Sequence, residues 1–159
     1  MAREVITASL LIIASVVAVA AMVNAVFPSI HKMTNSFDSL SSNMKEKIET
    51  NIDIIFINTN NSLLYLWVKN TGISKIPLDY FNKTDIFVYS STNYWHAVFK
   101  GSTNPKWDYS IENGDGDNYW DQGETIEITV EFDTLPADEY KVNLILYNGL
   151  SVTDKFSTG

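Results

Sequence analysis

An uninterrupted apolar stretch at residues 5–27 constrains this chain more than any other feature of its sequence. The stretch is VITASLLIIASVVAVAAMVNAVF, which holds no ionisable side chain and has Asn24 as its only strongly polar member. At ~1.5 Å of rise per residue, a helix of this length extends about 34 Å, enough to cross a hydrocarbon core of roughly 30 Å. Because a helix that is apolar on every side has to be surrounded by lipid or by other helices, the sequence predicts a membrane anchor or the core of a helical bundle.

A cleaved secretory signal is the alternative for this stretch. Such a signal needs a basic leading region, a shorter apolar core and a small-residue cleavage site. Here the charge of Arg3 is offset by Glu4, and the stretch is followed by Pro28 and Ser29 rather than by an Ala-x-Ala site. We therefore expect the helix to be retained in the mature protein.

Small residues alternate with Leu, Ile and Val along the apolar stretch. Small side chains let helix backbones approach closely inside a membrane or a bundle. We therefore predict that the helix packs against copies of itself or against partner helices, and a lone alanine-rich anchor is the alternative. The predicted helix-packing residues are Ala8, Ala14, Ala18, Ala21 and Ala25.

The pattern becomes amphipathic after Pro28, whose ring disfavours an unbroken ladder of helical hydrogen bonds. Apolar side chains then recur at spacings of three and four residues, which places them on one stripe of a helix. The stripe consists of Met33, Phe37, Leu40, Met44 and Ile48. We expect the helix to continue to about residue 50, kinked at Pro28, although a separate linker helix lying on the next domain would give the same pattern. The predicted division is a helical segment over 1–50 and a globular head domain over 51–159.

From residue 51 onward the hydrophobic period is that of β-strands. The clearest alternation, TIEITVEF at 125–132, has one apolar face and one polar face. Strands are predicted over 53–58, 62–69, 85–89, 94–99, 107–111, 125–132, 140–147 and 152–156. Short strands separated by turns in this way predict an all-β antiparallel sandwich of immunoglobulin-like architecture.

Composition excludes several classes of function. The formal net charge is −8, and eleven acidic residues with no Lys or Arg lie between residues 108 and 139. Nucleic-acid binding is excluded, because no basic patch is available to meet phosphate groups. The chain has no cysteine, which excludes disulfides and thiolate metal sites. The two histidines, His31 and His96, stand in different regions, and no sequence motif of a nucleotide-binding or hydrolytic site is present, so we predict that the chain is not an enzyme.

The acidic segment NGDGDNYWDQGE at residues 113–124 is the best candidate for a chemical site. With residue 113 counted as position 1, oxygen-bearing side chains fall at positions 1, 3, 5, 9 and 12, which is the spacing of a calcium-binding loop closed by Glu. The candidate Ca²⁺ ligands are Asn113, Asp115, Asp117, Asp121 and Glu124. An acidic solvated turn would have the same composition for conformational reasons alone, so both interpretations stay open.

Two further features concern carbohydrate. Asn60 and Asn82 each begin an Asn-x-Ser/Thr sequon in a predicted turn, a pattern that also arises by chance in a chain rich in these residues. The four tryptophans would suit either a carbohydrate platform or the sandwich core. Trp67 lies in an alternating strand, and we predict that it belongs to the core.

The order of short motifs along the chain resembles a known family. The motifs are the apolar helix over 5–28, VKNTG at 68–72, TDIF at 84–87, WDYSIEN at 107–113, GETI at 123–126 after Trp120, and NG at 148–149. In this order they resemble the archaellum pilin-like proteins, the group that holds the archaellins and the accessory proteins FlaF and FlaG, with FlaG the nearest type. The resemblance covers essentially the whole chain and implies a type IV pilin-like architecture.

The resemblance implies a non-enzymatic component of the archaeal motility apparatus, with its helix in the cytoplasmic membrane and its head outside the cytoplasm. Archaellins have a basic-Gly cleavage point just before the apolar helix, and MARE at residues 1–4 contains none. This favours a FlaG-type accessory or stator subunit. A filament-forming archaellin or pilin, polymerised through its helix in an extracellular filament, is the second hypothesis, and a membrane-anchored adhesin is the third.

The same resemblance implies the partners and modifications. The expected partners are further copies of the chain through the N-terminal helix, other archaellum proteins and cell-envelope (S-layer) proteins. Together with the resemblance, the two sequons lead us to expect N-glycosylation of at least one of them.

Overall fold

The structure is a computed structural model that describes residues 2–159, apart from the side chains at positions 43 and 46. Helix α1 spans Ala2–Glu49 and continues through Pro28, so the apolar stretch and the amphipathic stripe belong to one helix. The chain divides into two compact units, one reaching Asn43 and the other covering Met44–Gly159. Each unit is described separately below.

The helical unit exposes its apolar side chains along its whole described length. Every residue from 2 to 42 is exposed. The large apolar residues of the amphipathic stripe, which continues into the second unit with Met44 and Ile48, are between 58% and 76% exposed. In the described part of the chain, α1 is the one helix long and apolar enough to cross a membrane, with a mean hydropathy of 2.6 in its most apolar window. The predicted long apolar helix is confirmed.

The second unit, called the head unit here, contains the C-terminal residues of α1 up to Glu49, and its other described elements are β-strands and a short 3₁₀ helix at Leu78–Lys83. The strands are β1 (Ile52–Asn60), β2 (Leu63–Asn70), β3 (Ile76–Pro77), β4 (Asp85–Tyr89), β5 (Tyr94–Phe99), β6 (Lys106–Ile111), β7 (Tyr119–Trp120), β8 (Thr125–Glu131), β9 (Asp138–Ile145) and β10 (Ser151–Thr158). Each predicted strand is present within a few residues of its predicted bounds, because its alternating pattern is long enough to define it. The two-residue strands β3 and β7 were not predicted.

The eight long strands form one hydrogen-bonded sheet that is antiparallel except at one seam. The strand order is β1-β2-β8-β6-β5-β4-β9-β10, while β3 and β7 pair separately. β5 and β6 meet in a short parallel pairing, Val98 with Lys106 and Phe99 with Trp107, whereas all other paired strands among the described residues run antiparallel. The predicted antiparallel β domain is therefore confirmed, with this parallel seam as an added feature.

Two features of the head agree with an immunoglobulin-like arrangement. On the two sides of the parallel seam, the strand orders β1-β2-β8-β6 and β5-β4-β9-β10 follow the orders A-B-E-D and C′-C-F-G of such sandwiches. Near the start of β9, the Tyr140 hydroxyl donates a hydrogen bond of 2.9 Å to the carbonyl of Pro136, as in the tyrosine corner of that fold. The immunoglobulin-like assignment stays a prediction that these features support.

One hydrophobic core fills the head. Alternate residues of each inner strand point into it because successive side chains of a strand face opposite sides of the sheet. The fully buried members from the central strands are Leu64, Leu66, Val68, Ile86, Ile126, Ile128, Val130, Val142 and Leu144. Phe81 of the 3₁₀ helix is also fully buried and closes one end of this core.

Trp67 does not lie in the core, so the prediction for this residue was wrong. The inward positions of β2 are 64, 66 and 68, and Trp67 therefore points to the outer face of the sheet. There it contacts Phe56 and Tyr65, with ring centroids 5.2 and 6.2 Å apart. Alternation was visible in the sequence, but the identity of the buried face was set by the neighbouring strands.

Candidate metal loop, glycosylation sites and helix surface

The acidic segment 113–124 forms the connection between β6 and β8 and is held to the head at its middle. β7 pairs with β3, placing Trp120 opposite Ile76. The Trp120 side chain is fully buried, and its Nε1 donates a hydrogen bond of 2.9 Å to the carbonyl of Glu124. This pairing and this hydrogen bond give the loop a defined shape.

Three of the five predicted calcium ligands come together in this loop. One carboxylate oxygen from each of Asp115, Asp117 and Asp121 lies within 4.8 Å of the others. Oxygen ligands that surround a single Ca²⁺ ion at 2.3–2.6 Å would have comparable separations. The geometry of these three residues therefore fits a hard cation.

The other two predicted ligands hold the backbone of the loop. Asn113 Oδ1 accepts a hydrogen bond of 2.7 Å from the N–H of Thr125. The Glu124 carboxylate is largely buried and accepts hydrogen bonds from the N–H groups of Asp115 at 3.1 Å and Asp121 at 2.9 Å. Asn113 and Glu124 stand at positions 1 and 12 of the loop, where a calcium ligand and a residue that closes a turn cannot be told apart from the sequence.

Lys75 brings a positive charge to the three carboxylates. Its ammonium group forms an ion pair with Asp121 and lies 3.6 Å from Asp117 Oδ2. The hydrogen bond to Asp121 is the main reason why the pKa of Lys75 is raised, and the negative charges of the neighbouring aspartates act in the same direction. Sequence reasoning missed Lys75 because its approach to the aspartates depends on the pairing of β3 with β7. Strands of two residues have no hydrophobic pattern by which they could be predicted.

Calcium binding by this loop stays a prediction, and Lys75 gives it a test. Replacing Lys75→Met removes the positive charge and leaves three carboxylates that repel one another. We expect calcium at about 1 mM to raise the melting temperature of this variant more than that of the wild type. Asp115→Ala in the same background should abolish the increase. Calorimetry of the full chain in detergent measures both effects. If calcium left the melting temperatures of the wild type, Lys75→Met and the double variant all unchanged, the metal site would be contradicted.

The two sequons differ in how accessible they are in the folded head. Asn60, at the end of β1, and Asn82, in the 3₁₀ helix, are both exposed. Ser62 is half-buried in the β1–β2 turn, whereas Thr84 is only 4% exposed and its hydroxyl has no hydrogen-bond partner. Recognition of a sequon requires an exposed turn, which favours Asn60 in the folded protein. Glycosylation of either residue stays a prediction.

The predicted helix-packing alanines are all exposed on α1. The four from Ala14 to Ala25 follow one another at spacings of four, three and four residues, which places them on one stripe. Ala8 lies about a third of a turn away from that stripe. Their role in helix packing stays a prediction.

Comparison with known proteins identifies the family. Residues 2–156 match the model of the archaeal-type flagellins. The chain belongs to the archaeal-type flagellin family. An uncharacterized protein of Archaeoglobus fulgidus is 44% identical over 164 residues, an alignment that covers 99% of this chain and 99% of the relative.

Solved structures share the fold of this chain. The archaellum periplasmic stator protein FlaG from Sulfolobus acidocaldarius has a TM-score of 0.57 at 16% identity, over 67% of this chain and 99% of FlaG. A FlaF–FlaG stator complex from the same organism has a TM-score of 0.55 at 16% identity, over 66% of this chain and 87% of that chain. The predicted resemblance to archaellum pilin-like proteins is confirmed. The flagellin family and these neighbours are structural components of the archaellum, which agrees with the prediction of a non-enzymatic archaellum component.

Proposed function

We propose that the chain is a FlaG-type accessory or stator subunit of the archaellum. The observation that carries this proposal is the combination of an apolar helix with a fold similarity that covers 67% of this chain and 99% of the solved FlaG chain. We place α1 in the cytoplasmic membrane and the head outside the cytoplasm. Other archaellum proteins are the proposed partners, since FlaG occurs in a solved complex with FlaF.

The exposed surface of α1 supports a membrane or filament location. A contiguous apolar surface of this length is unfavourable in water, so lipid or other helices have to cover it. The stripe from Ala14 to Ala25 would allow close approach of a second helix. Self-association through α1 and contact with cell-envelope proteins are further parts of the proposal.

A filament-forming archaellin is the second candidate, favoured by the match of residues 2–156 to the flagellin family model. In this alternative, copies of α1 bury one another in a filament core, and the heads lie on the outside. The two candidates differ in what covers α1, namely lipid for an anchored accessory subunit and copies of α1 for a filament subunit.

Negative-stain imaging of the purified full-length protein, with and without mild detergent, separates the two candidates. Particles that need detergent and stay small, with an unprocessed N-terminus by protein sequencing, are the result expected for an anchored accessory subunit. Helical filaments in the absence of detergent would overturn that assignment in favour of an archaellin.

The variant pair Ala18→Ile and Val19→Ile controls for helix packing in this experiment. Both substitutions add bulk to α1, but only the first lies on the alanine stripe. If the stripe is a helix–helix contact, Ala18→Ile should shift the assemblies to smaller sizes, while Val19→Ile should leave them unchanged. Equal behaviour of the two variants would contradict packing through this stripe.

A further inference from the structure

The end of α1 is held by a loop that follows β2. The carbonyl of Glu49 accepts hydrogen bonds from the N–H groups of Ile73 at 2.9 Å and Ser74 at 3.2 Å. The last carbonyls of a helix have no partner within the helix itself. The loop 71–74 therefore caps the C-terminus of α1 with groups that belong to the head.

The chain leaving the helix is held by the same loop. The carbonyl of Asn51 accepts hydrogen bonds of 2.9 Å from the N–H groups of both Thr71 and Gly72. A Cβ atom at Gly72 would lie 2.4 Å from the nitrogen of Asn51 and 2.5 Å from the carbonyl oxygen of Glu49. Only glycine permits this close approach, so the helix exit and the loop form one tightly packed joint.

The side chain of Asn70 supports this loop from inside the head. Asn70 is fully buried. Its Oδ1 accepts a hydrogen bond of 3.0 Å from the N–H of Gly72, and its Nδ2 donates one of 3.0 Å to the carbonyl of Ser74. The amide thus spans the loop and maintains the conformation that presents its N–H groups to the helix exit.

Asn70 also forms hydrogen bonds with the acidic loop. Its Nδ2 also donates a hydrogen bond of 2.8 Å to the carbonyl of Trp120. Its backbone N–H donates to the carbonyl of Glu124 at 3.0 Å, and its own carbonyl accepts from the N–H of Gly123 at 2.8 Å. The Glu124 carboxylate then extends the network to the backbone of Asp115 and Asp121.

We infer that Asn70 couples the acidic loop to the helix exit, so that loosening either one weakens the other. The hydrogen bonds of the Asn70 side chain to Gly72 and Trp120 are buried. Its hydrogen bond to Ser74 and those that the Glu124 carboxylate accepts are part-buried. A buried polar group that loses its partner has no water to replace it. Such coupling is reciprocal between the two ends of the network. It is a property of the head, independent of the archaellum role proposed above.

Hydrogen exchange of the full chain in detergent tests this coupling from the acidic side. Glu124→Gln keeps the size of the side chain but replaces one of its two acceptor oxygens by an NH₂ group. In the wild type, the N–H groups of Asp115 and Asp121 each donate to a different one of these oxygens. We expect the exchange rates of the Ile73 and Ser74 amides, which Glu124 does not contact, to rise at least about fivefold. Glu112→Gln makes the same chemical change at an exposed position of the same connection and should leave those amides unchanged.

The reciprocal experiment starts from the helix exit. Thr71 Oγ1 accepts a hydrogen bond from Asn51 Nδ2 and donates one to Asp53 Oδ2, both at the surface. Thr71→Val removes these bonds and should raise the exchange rate of the Gly123 amide, whereas Thr153→Val, which removes a surface hydroxyl from β10, should not. The coupling is overturned if Ile73 and Ser74 exchange at the wild-type rate in Glu124→Gln, or if Gly123 does so in Thr71→Val.

Discussion

Asn70→Ala should lower the free energy of unfolding of the head by roughly 3–5 kcal/mol. The substitution leaves the carbonyls of Ser74 and Trp120 without the donor that Asn70 supplies. It also removes one of the two acceptors of the Gly72 N–H, which keeps the carbonyl of Asn51. Each buried polar group left without a partner costs about 1–3 kcal/mol. Urea denaturation of the full chain in detergent, followed by tryptophan fluorescence, measures the change.

Asn143→Ala is the matched control for this prediction. The Asn143 Oδ1 accepts a hydrogen bond of 3.2 Å from the hydroxyl of Thr153, at an exposed contact between β9 and β10. The loss of such a surface contact should cost less than about 1 kcal/mol. Equal destabilisation by the two substitutions would contradict the central role of Asn70 in the buried network.

Phe81→Ala should destabilise the head by about 3–5 kcal/mol, the usual cost of removing a large aromatic ring from a core. Phe81 is fully buried and meets three aromatic rings edge-on. The ring centroids lie 5.7 Å away for Trp107, 4.6 Å for Tyr109 and 5.7 Å for Trp120. Because Trp120 anchors the acidic loop, the variant should also lose near-ultraviolet circular dichroism from this cluster.

Tyr80→Ala provides the comparison for the neighbouring position. Tyr80 is 44% exposed and contacts Tyr147 at a ring-centroid distance of 5.2 Å. Its removal leaves no large cavity in the core, so the expected loss is below about 1.5 kcal/mol. A loss as large as that of Phe81→Ala would show that the aromatic cluster around Phe81 does not dominate this end of the core.

The N-terminal helix and the long strands could be predicted from local pattern. The apolar stretch is long enough to define a helix without tertiary information, and the run at 125–132 alternates without interruption. The family could be recognised for a related reason, since the order of short motifs extends over the whole chain. In these regions each residue carries the same structural preference as its neighbours, so local preference and fold agree.

The faces and partners of these elements were predicted less well. Trp67 was placed in the core from the alternation of its own strand, but alternation gives two faces and does not say which one is covered. The calcium spacing over 113–124 likewise identified five oxygen-bearing residues without separating Asn113 and Glu124, which bind backbone N–H groups, from the three clustered aspartates. A side chain that closes a turn and one that could bind a cation occupy the same positions in the sequence.

By itself, the sequence determined that the chain has an apolar helix, an antiparallel β head and an acidic loop, because each depends on residues close together along the chain. Only the tertiary structure showed that Lys75 meets the aspartates of that loop and that Asn70 joins it to the end of α1. These contacts depend on two-residue strands and on loops packed at one end of the head, where the approach of distant segments decides the geometry. The physical reason is that a hydrogen bond between distant segments leaves no periodic pattern in either of them.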